Sequence, residues 1–336
     1  MLVTGAAGTV GRALIRALMP VDLTHLVAMD NNETEIFFLE QEYRNDPRFR
    51  ASIGDIRDPQ SIRHLSEATD IVLHAAALKH VGICEKAPFD AVQTNIIGIN
   101  NLIVAAIANR IERVVFMSSD KAVNPTNVMG TSKLMGERLI TAANSLRKAG
   151  YPVFTSTRFG NVLGSRGSVL DIFKNQIKAG GPVTLTDSGM SRFVMTENQS
   201  VDLVLEATTL AHGGEVFVTK MPVMRIKDLA QAMVDMLAPV YGYDPADIAV
   251  ETVGVRTGEK LYEELLNEEE VRRTVELKHH FVVLPAFRAL YASIDYNFDD
   301  VVQKEVDRAY RSDQEQALSQ AEIRNFLATH NLVPAT

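Results

Sequence analysis

Thr4-Gly5-Ala6-Ala7-Gly8-Thr9-Val10-Gly11 stands between a short apolar run, Leu2–Thr4, and a helical pattern, Val10–Leu18. Glycines spaced this way let a chain leave a strand, turn tightly and enter a helix seated against the sheet. The helix then offers unpaired N–H groups and its dipole to an anion. The same alternation continues outward from this stretch. Leu26–Met29, Phe49–Ile53, Ile71–His74, Arg113–Met117 and Val153–Thr157 read as strands, and Glu33–Tyr43, Pro59–Ser66, Phe89–Asn109 and Asn127–Lys148 as the helices between them. Runs apolar throughout, such as Val114–Met117, are expected where both faces of a sheet are covered. The expectation is an α/β fold, a Rossmann-type doubly wound parallel sheet over residues 1–160 with a smaller C-terminal substrate-binding lobe, mainly 161–290. Helical patterns at Gln199–Ala211 and Ile226–Leu237 belong to the less regular second half, and residues 291–336 form an unassigned tail with a weakly amphipathic helix near Gln314–Ala328.

Ligand-type residues recur at the carboxyl ends of the first four strands, which predicts a bound dinucleotide. Gly5, Gly8, Thr9, Val10 and Gly11 would face its pyrophosphate. Asp30, about 20 residues on, would accept hydrogen bonds from the adenosine ribose, or else cap the next helix. Its neighbours Asn31, Asn32 and Glu33 carry no cation for a 2′-phosphate, which favours NAD over NADP. Asp55 and Ile56 would lie beside adenine, unless Gly54-Asp55 is only a turn. Ala75 and Ala76 are small enough to let a flat cofactor pass or a helix pack closely.

Composition narrows the partners. The 336 residues are 46% hydrophobic and 23% charged, with 34 Lys and Arg against 42 Asp and Glu, a net charge of −8. Without a basic block, nucleic acid is not expected as a partner. One cysteine, Cys84, cannot form an internal disulfide, and the 8 histidines show no metal-ligand spacing, so no metal is expected. No uninterrupted apolar run approaches the ~20 residues of a membrane span, and Met1 leads directly into the first strand. A cytoplasmic protein without a membrane span is therefore expected.

Ser118-Ser119-Asp120-Lys121-Ala122-Val123-Asn124-Pro125-Thr126-Asn127-Val128-Met129-Gly130 makes a resemblance specific, together with Ala75–Glu85, Arg158–Val169, Gly180–Thr196 and Arg256–Leu265. Over residues 1 to about 290 the chain resembles the extended short-chain dehydrogenase/reductases. Within them it resembles the polysaccharide-biosynthesis (CapD-like) nucleotide-sugar dehydratases, and most narrowly the retaining UDP-N-acetylglucosamine 4,6-dehydratases. The superfamily's usual catalyst is Tyr-x-x-x-Lys on one helix face, where the lysine charge lowers the phenol's pKa. Here Lys133 is present, Met129 occupies the tyrosine's place, and none of the 8 tyrosines precedes a lysine by four. The resemblance implies that methionine, and it assigns proton chemistry to Ser119, Asp120 and Lys121.

The resemblance further implies an internal redox cycle on bound NAD: oxidation at carbon 4, loss of water across carbons 5 and 6, and hydride return to carbon 6. Lys133 would hold the nicotinamide ribose. Lys79 and His80 would face the sugar, Asn161 and Arg256 the diphosphate, Glu259 the uridine ribose, and Arg192 is a further phosphate candidate. Helices with apolar residues on more than one stripe (Ile96, Ile97, Ile99, Leu102 and Ile103; Leu134, Met135, Leu139 and Ile140) need a second partner. The resemblance makes that partner another copy, in a homodimer or higher homo-oligomer. A nucleotide-sugar 4-epimerase and a non-catalytic dinucleotide sensor are the competing readings.

Overall fold

The structure is a computed structural model that describes residues 1–147, 150–255, 258–291 and 294–333. Two compact units interleave along the chain. The first comprises Met1–Phe159, Asn198–Lys220 and Leu266–Ala309, and the second Gly160–Glu197, Met221–Leu265 and Tyr310–Thr336. Simple divisions at 160 and 290 miss this weaving, because strands far along the chain return to the first sheet.

In the first unit, β1 (Leu2–Thr4), β2 (Leu26–Asp30), β3 (Phe49–Ile53), β4 (Ile71–His74), β5 (Arg113–Ser119) and β6 (Val153–Phe159) lie parallel in the order β3-β2-β1-β4-β5-β6. Val216–Thr219 extends the sheet parallel to β6, and His280–Val283, Thr274–Leu277 and Val301–Gln303 close that side antiparallel. The strand order reverses at β1 and β4, where such sheets open a ligand crevice. β5 and β6 run two residues beyond their expected ends at Met117 and Thr157, and this extension carries Ser119 to the tip of β5.

Helices α1 (Thr9–Leu18), α2 (Glu33–Tyr43) and α3 (Pro59–Leu65) follow the expected order. The expected helix Phe89–Asn109 is more complex. A separate α4 (Val81–Lys86) precedes it, and Pro88 opens α5 (Pro88–Val92), where a missing N–H costs nothing. A π segment, Gln93–Ile97, then leads into α6 (Gly98–Ala108). Asn95 accounts for that irregularity: its buried amide accepts from Leu78 N–H and donates to Leu78 C=O and to Ser132 Oγ, all at 2.9 Å. Among the described residues, Pro88–Ala108 is the one helix long and apolar enough to cross a membrane, although polar residues interrupt its apolar runs. In this fold 44% of it is buried, Ile99, Leu102 and Ala106 join the core, and Gln93 and Asn100 lie on its exposed side.

α7 (Val128–Ala143) covers β5 and β6 and ends before the expected Lys148, which lies outside the described residues. The second unit packs Val169–Lys178, Ile226–Leu237 and Gln320–Thr329 around Phe173, Ile177, Leu229, Met233, Ile323 and Leu327. The tail thus supplies both an edge strand to the first unit and a core helix to the second. Its helix begins at Gln320, later than expected, because Ser319 and Glu322 form a capping box there.

In the turn after β1, Gly5 tolerates no side chain. Gly5 has φ +66°, and a Cβ on it would lie 2.5 Å from Ala76 N. Gly5→Ala is expected to cost roughly 2–5 kcal/mol through left-handed strain and overlap. Urea unfolding reads this directly, and a midpoint equal to the parent's would contradict the packing described.

Candidate active site

The dinucleotide-type turn is organised by its own backbone. Gly11 is as constrained as Gly5, since a Cβ there would lie 2.2 Å from Gly5 O. Gly8 differs: it is exposed, its backbone is ordinary (φ −72°, ψ 169°), and a Cβ would meet only Gly5 O, at 3.2 Å. No side chain caps α1 and its first turn carries no acid, so the dipole end is suited to an anion. The residues present fit a pyrophosphate.

Asp30 ends β2 and accepts from Ala7 N–H through Oδ2 and from Asn32 N–H through Oδ1, both at 3.0 Å. The helix cap is Asn32, which accepts from Glu35 N–H, so Asp30 fastens the glycine turn to the second strand. Each of its oxygens keeps a lone pair for a ribose hydroxyl. Arg12, which the sequence reading passed over, projects from α1 to Glu35 at 2.7 Å and Glu42 at 3.5 Å, so two carboxylates engage the cation near β2. Asp55 pairs with Arg57 at 2.6 Å, and that hydrogen bonding holds its carboxyl below the usual range. Ile56 is buried against Gly98 of α6, and Ala75 donates its N–H to Thr4 O. The Ala75–Ala76 segment lies close against the Gly5 turn, where a Cβ on Gly5 would come within 2.5 Å of Ala76 N.

At the tip of β5 the chain makes a 3-10 turn, Asp120–Ala122. Asp120 is fully buried, and its Oδ1 accepts from Ser119 Oγ at 2.7 Å, Lys121 N–H at 2.8 Å and Lys121 Nζ at 3.0 Å. Its other oxygen, Oδ2, is buried with no partner among the described residues. Such an oxygen is costly unless something occupies it in function. Ser119 caps the same turn at Lys121 N–H, and the Lys121 side chain is 25% exposed. Three side chains are thus locked together with one carboxylate oxygen left over.

α7 presses on this turn: a Cβ on Gly130 would lie 2.2 Å from Lys121 O. Met129 is buried with Cys84 and Ala91 and the partly buried Leu78, Val81 and Val128, so a thioether fills the seat of the usual tyrosine. One turn on, Lys133 donates to Met117 O at 2.8 Å and lies 4.8 Å from the Phe116 ring centroid. Burial pushes Lys133 down to about 8, against the opposing pull of Glu137 and Cys84. His74, also unremarked in the sequence reading, ends β4 with Nδ1 2.6 Å from Thr4 Oγ1, its ring stacked on Phe116. Lys79 and His80 are exposed at the start of α4, and His80 precedes the helix without capping it. Asn127 caps α7 by accepting from Gly130 N–H at 2.8 Å, and Glu85 accepts from Val128 N–H at 2.6 Å.

In the second unit Asn161 opens a two-residue strand paired with Val194, and is half-buried. Arg192 is committed to protein: Nη1 donates to Ser191 O and Leu261 O, Nη2 to Lys260 O and Met190 Sδ, and Nε faces Glu263 at 3.7 Å. The phosphate contact expected of it gives way here to a clamp on Lys260–Glu263, because carbonyls already use its donors. Glu259 is half-buried just ahead of that segment, and Arg256 lies outside the described residues.

A model of the family "Polysaccharide biosynthesis protein" matches residues 1–285. The chain belongs to that family. Within it, this polysaccharide biosynthesis protein is an extended short-chain dehydrogenase/reductase of the CapD-like type. Its relatives include an "Uncharacterized membrane protein" of Methanocaldococcus jannaschii, 50% identical over 85% of each chain. A "UDP-glucose 4-epimerase" of Rickettsia massiliae is 38% identical over 84% of this chain and 81% of its own. The "Capsular polysaccharide biosynthesis protein CapD" of Staphylococcus aureus is 41% identical over 81% of this chain but only 45% of that longer protein. Among solved structures, Pen from Bacillus thuringiensis superposes with a TM-score of 0.91 at 39% identity, covering 99% of this chain and 98% of its own.

Buried His74 couples the stability of this family member to pH. Burial lowers His74 to about 3, with the Lys133 charge adding to the effect. The unfolded chain binds this proton near 6.5 and the folded chain only near 3, so stability contributed by neutral His74 is lost as pH falls through that window. The slope approaches about 1.4 kcal/mol per pH unit. Urea unfolding at pH 6.0 and 4.5 should show a drop about 2 kcal/mol larger in the parent than in His74→Asn. Equal drops would mean that His74 is protonated in the fold.

Proposed function

We propose that this chain is an NAD-dependent UDP-N-acetylglucosamine 4,6-dehydratase that forms a UDP-4-keto-6-deoxy-N-acetylhexosamine. The observation that carries the reading is the Ser119–Asp120–Lys121 constellation, with its unpartnered buried carboxylate oxygen, beside a helix whose usual phenol is Met129. A thioether exchanges no proton, so acid–base work falls to a carboxylate and an amine 3.0 Å apart. Gly5, Gly8, Thr9, Val10, Gly11, Asp30, Asp55, Ile56, Ala75 and Ala76 would hold the dinucleotide, with Lys133 at the nicotinamide ribose. The carboxylates around Arg12 support NAD over NADP, since a 2′-phosphate would meet them.

NAD, when bound, supplies the acceptor for the hydride that leaves carbon 4 and the donor of the hydride delivered to carbon 6. Asp120, relayed by Ser119, takes the proton of the 4-hydroxyl. The ketone so formed acidifies carbon 5, and Lys121 in its neutral form removes that proton. Asp120 returns its proton to the departing 6-hydroxyl, which leaves as water, and Lys121 then reprotonates carbon 5. Atoms and charge balance as the loss of one water. Asn161, Arg256 and Glu259 are assigned to the nucleotide diphosphate and its ribose, Lys79 and His80 to the sugar, and Arg192 to fixing Lys260–Glu263. We further assign the outer stripe of α6 and α7, where Val104 and Met135 are 59% and 46% exposed, to a homodimer in the cytoplasm.

The second reading is a 4-epimerase, favoured by the Rickettsia relatives called UDP-glucose 4-epimerase. Epimerisation needs one acid–base group at oxygen 4 and leaves the carbon 5 base idle. Incubation with UDP-N-acetylglucosamine and catalytic NAD⁺ is expected to give a product lighter by one water without net NADH. Lys121→Met and Asp120→Asn should each lower that rate by about 10²–10⁴-fold. An isomer of unchanged mass would establish the epimerase, and no turnover on any UDP-sugar would end both readings.

A further inference from the structure

Four charges are buried together in the first unit behind the catalytic turn. Arg158 on β6 is 1% exposed and grips two carboxylates. Its Nε and Nη2 donate to Glu137 of α7 at 2.9 and 2.7 Å. Nη1 and Nη2 donate to Glu270 at 2.7 Å each. Glu270 lies in the short helix Glu268–Val271, and its carboxylate also accepts from Asn267 N–H. One arginine and two glutamates carry a net −1. The fourth buried charge is Lys133, one helical turn before Glu137, and it brings the sum to zero. Arg273 stands at the rim, 3.6 Å from Glu270 and paired with Glu269.

We propose that Glu137, held in place by Arg158 and Glu270, is the counter-charge that keeps Lys133 protonated, which makes the cluster a positioning and charge-setting device for the site. The i, i+4 spacing puts the two Cβ atoms about 5–6 Å apart on one helix face. Lys133 reaches β5 through Met117 O, and Glu137 reaches β6 through Arg158. The other groups near Lys133 do not substitute for Glu137. From β4 comes His74, neutral in the fold, from β5 the Phe116 ring, and from α4 the buried thiol of Cys84, whose burial favours the uncharged form. Arg158, on β6, carries the same sign as Lys133. Removing the Glu137 charge leaves Arg158 balanced by Glu270 and Lys133 without a compensating anion. The consequence for cofactor binding rests on the proposed function, but the charge relation itself does not.

Protein labelled with ¹³C at lysine Cε, without added cofactor, tests this by NMR, with the Lys133 resonance assigned by its loss in Lys133→Met. In Glu137→Gln the Lys133 midpoint is expected about one pH unit lower, a tenfold change in protonation. Glu137→Asp, which keeps the charge, should restore it, and Glu270→Gln should move it in the same direction. A folded Glu137→Gln with an unmoved midpoint overturns the proposal. Should that variant not fold, an unmoved midpoint in Glu270→Gln does so. NAD⁺ affinity at pH 8 separates the two ideas: a moved midpoint with unchanged affinity keeps the charge relation and removes Lys133 from the cofactor site.

Discussion

The site depends on how closely α7 lies against the turn that follows β5. With 2.2 Å between a notional Cβ at residue 130 and the carbonyl oxygen of Lys121, only glycine fits, and the helix is fixed in depth and rotation. From that seat Met129, Lys133 and Glu137 project at intervals of one turn. Each meets a different layer: the α4–α5 cluster, the carbonyl at Met117 and the guanidinium of Arg158. Ser132, on the same helix, closes the buried amide network of Asn95.

This arrangement explains how the fold accommodates a methionine where a phenol is usual. The seat is apolar, so a thioether packs without leaving an unsatisfied hydroxyl. The loss is chemical, not structural, and under the proposed function proton transfer falls to Asp120 and Lys121, on the turn that α7 covers. Their own carboxylate differs from the two that Arg158 holds. Glu137 and Glu270 have both oxygens engaged by arginine, whereas Asp120 keeps one buried oxygen open. A saturated carboxylate serves structure, since breaking such a cluster strands a charge at a cost of about 3–5 kcal/mol. An unsaturated one is set to receive something.

Much of this was legible in the sequence. The alternation of apolar runs and helical patterns gave the six parallel strands nearly to the residue, because buried parallel strands are short, apolar and separated by caps and glycines. The motif from Ser118 to Gly130 marked the turn that carries Ser119, Asp120 and Lys121 and the start of α7. The cluster around Arg158 was not legible, because Glu137, Arg158 and Glu270 are far apart in the chain and each alone reads as an ordinary charge. Arg192 shows the converse: an arginine in a substrate-type segment looks available until the carbonyls of Ser191, Lys260 and Leu261 are seen to use it. The helix Pro88–Ala108 holds no unbroken apolar run of membrane-spanning length because its polar residues, Asn95 among them, are spaced along it.

Local sequence by itself determined the strand-turn-helix opening, the glycines at 5 and 11, and the methionine at 129, since these follow from backbone sterics and side-chain chemistry within a few residues. Only the tertiary structure decided which carboxylates are saturated, which cations are committed, and where the tail goes. Val301–Gln303 joins the first sheet while Ile323 and Leu327 complete the second core. These outcomes depend on partners brought together by long-range strand pairing and helix packing, and no local pattern encodes the identity of a neighbour a hundred residues away.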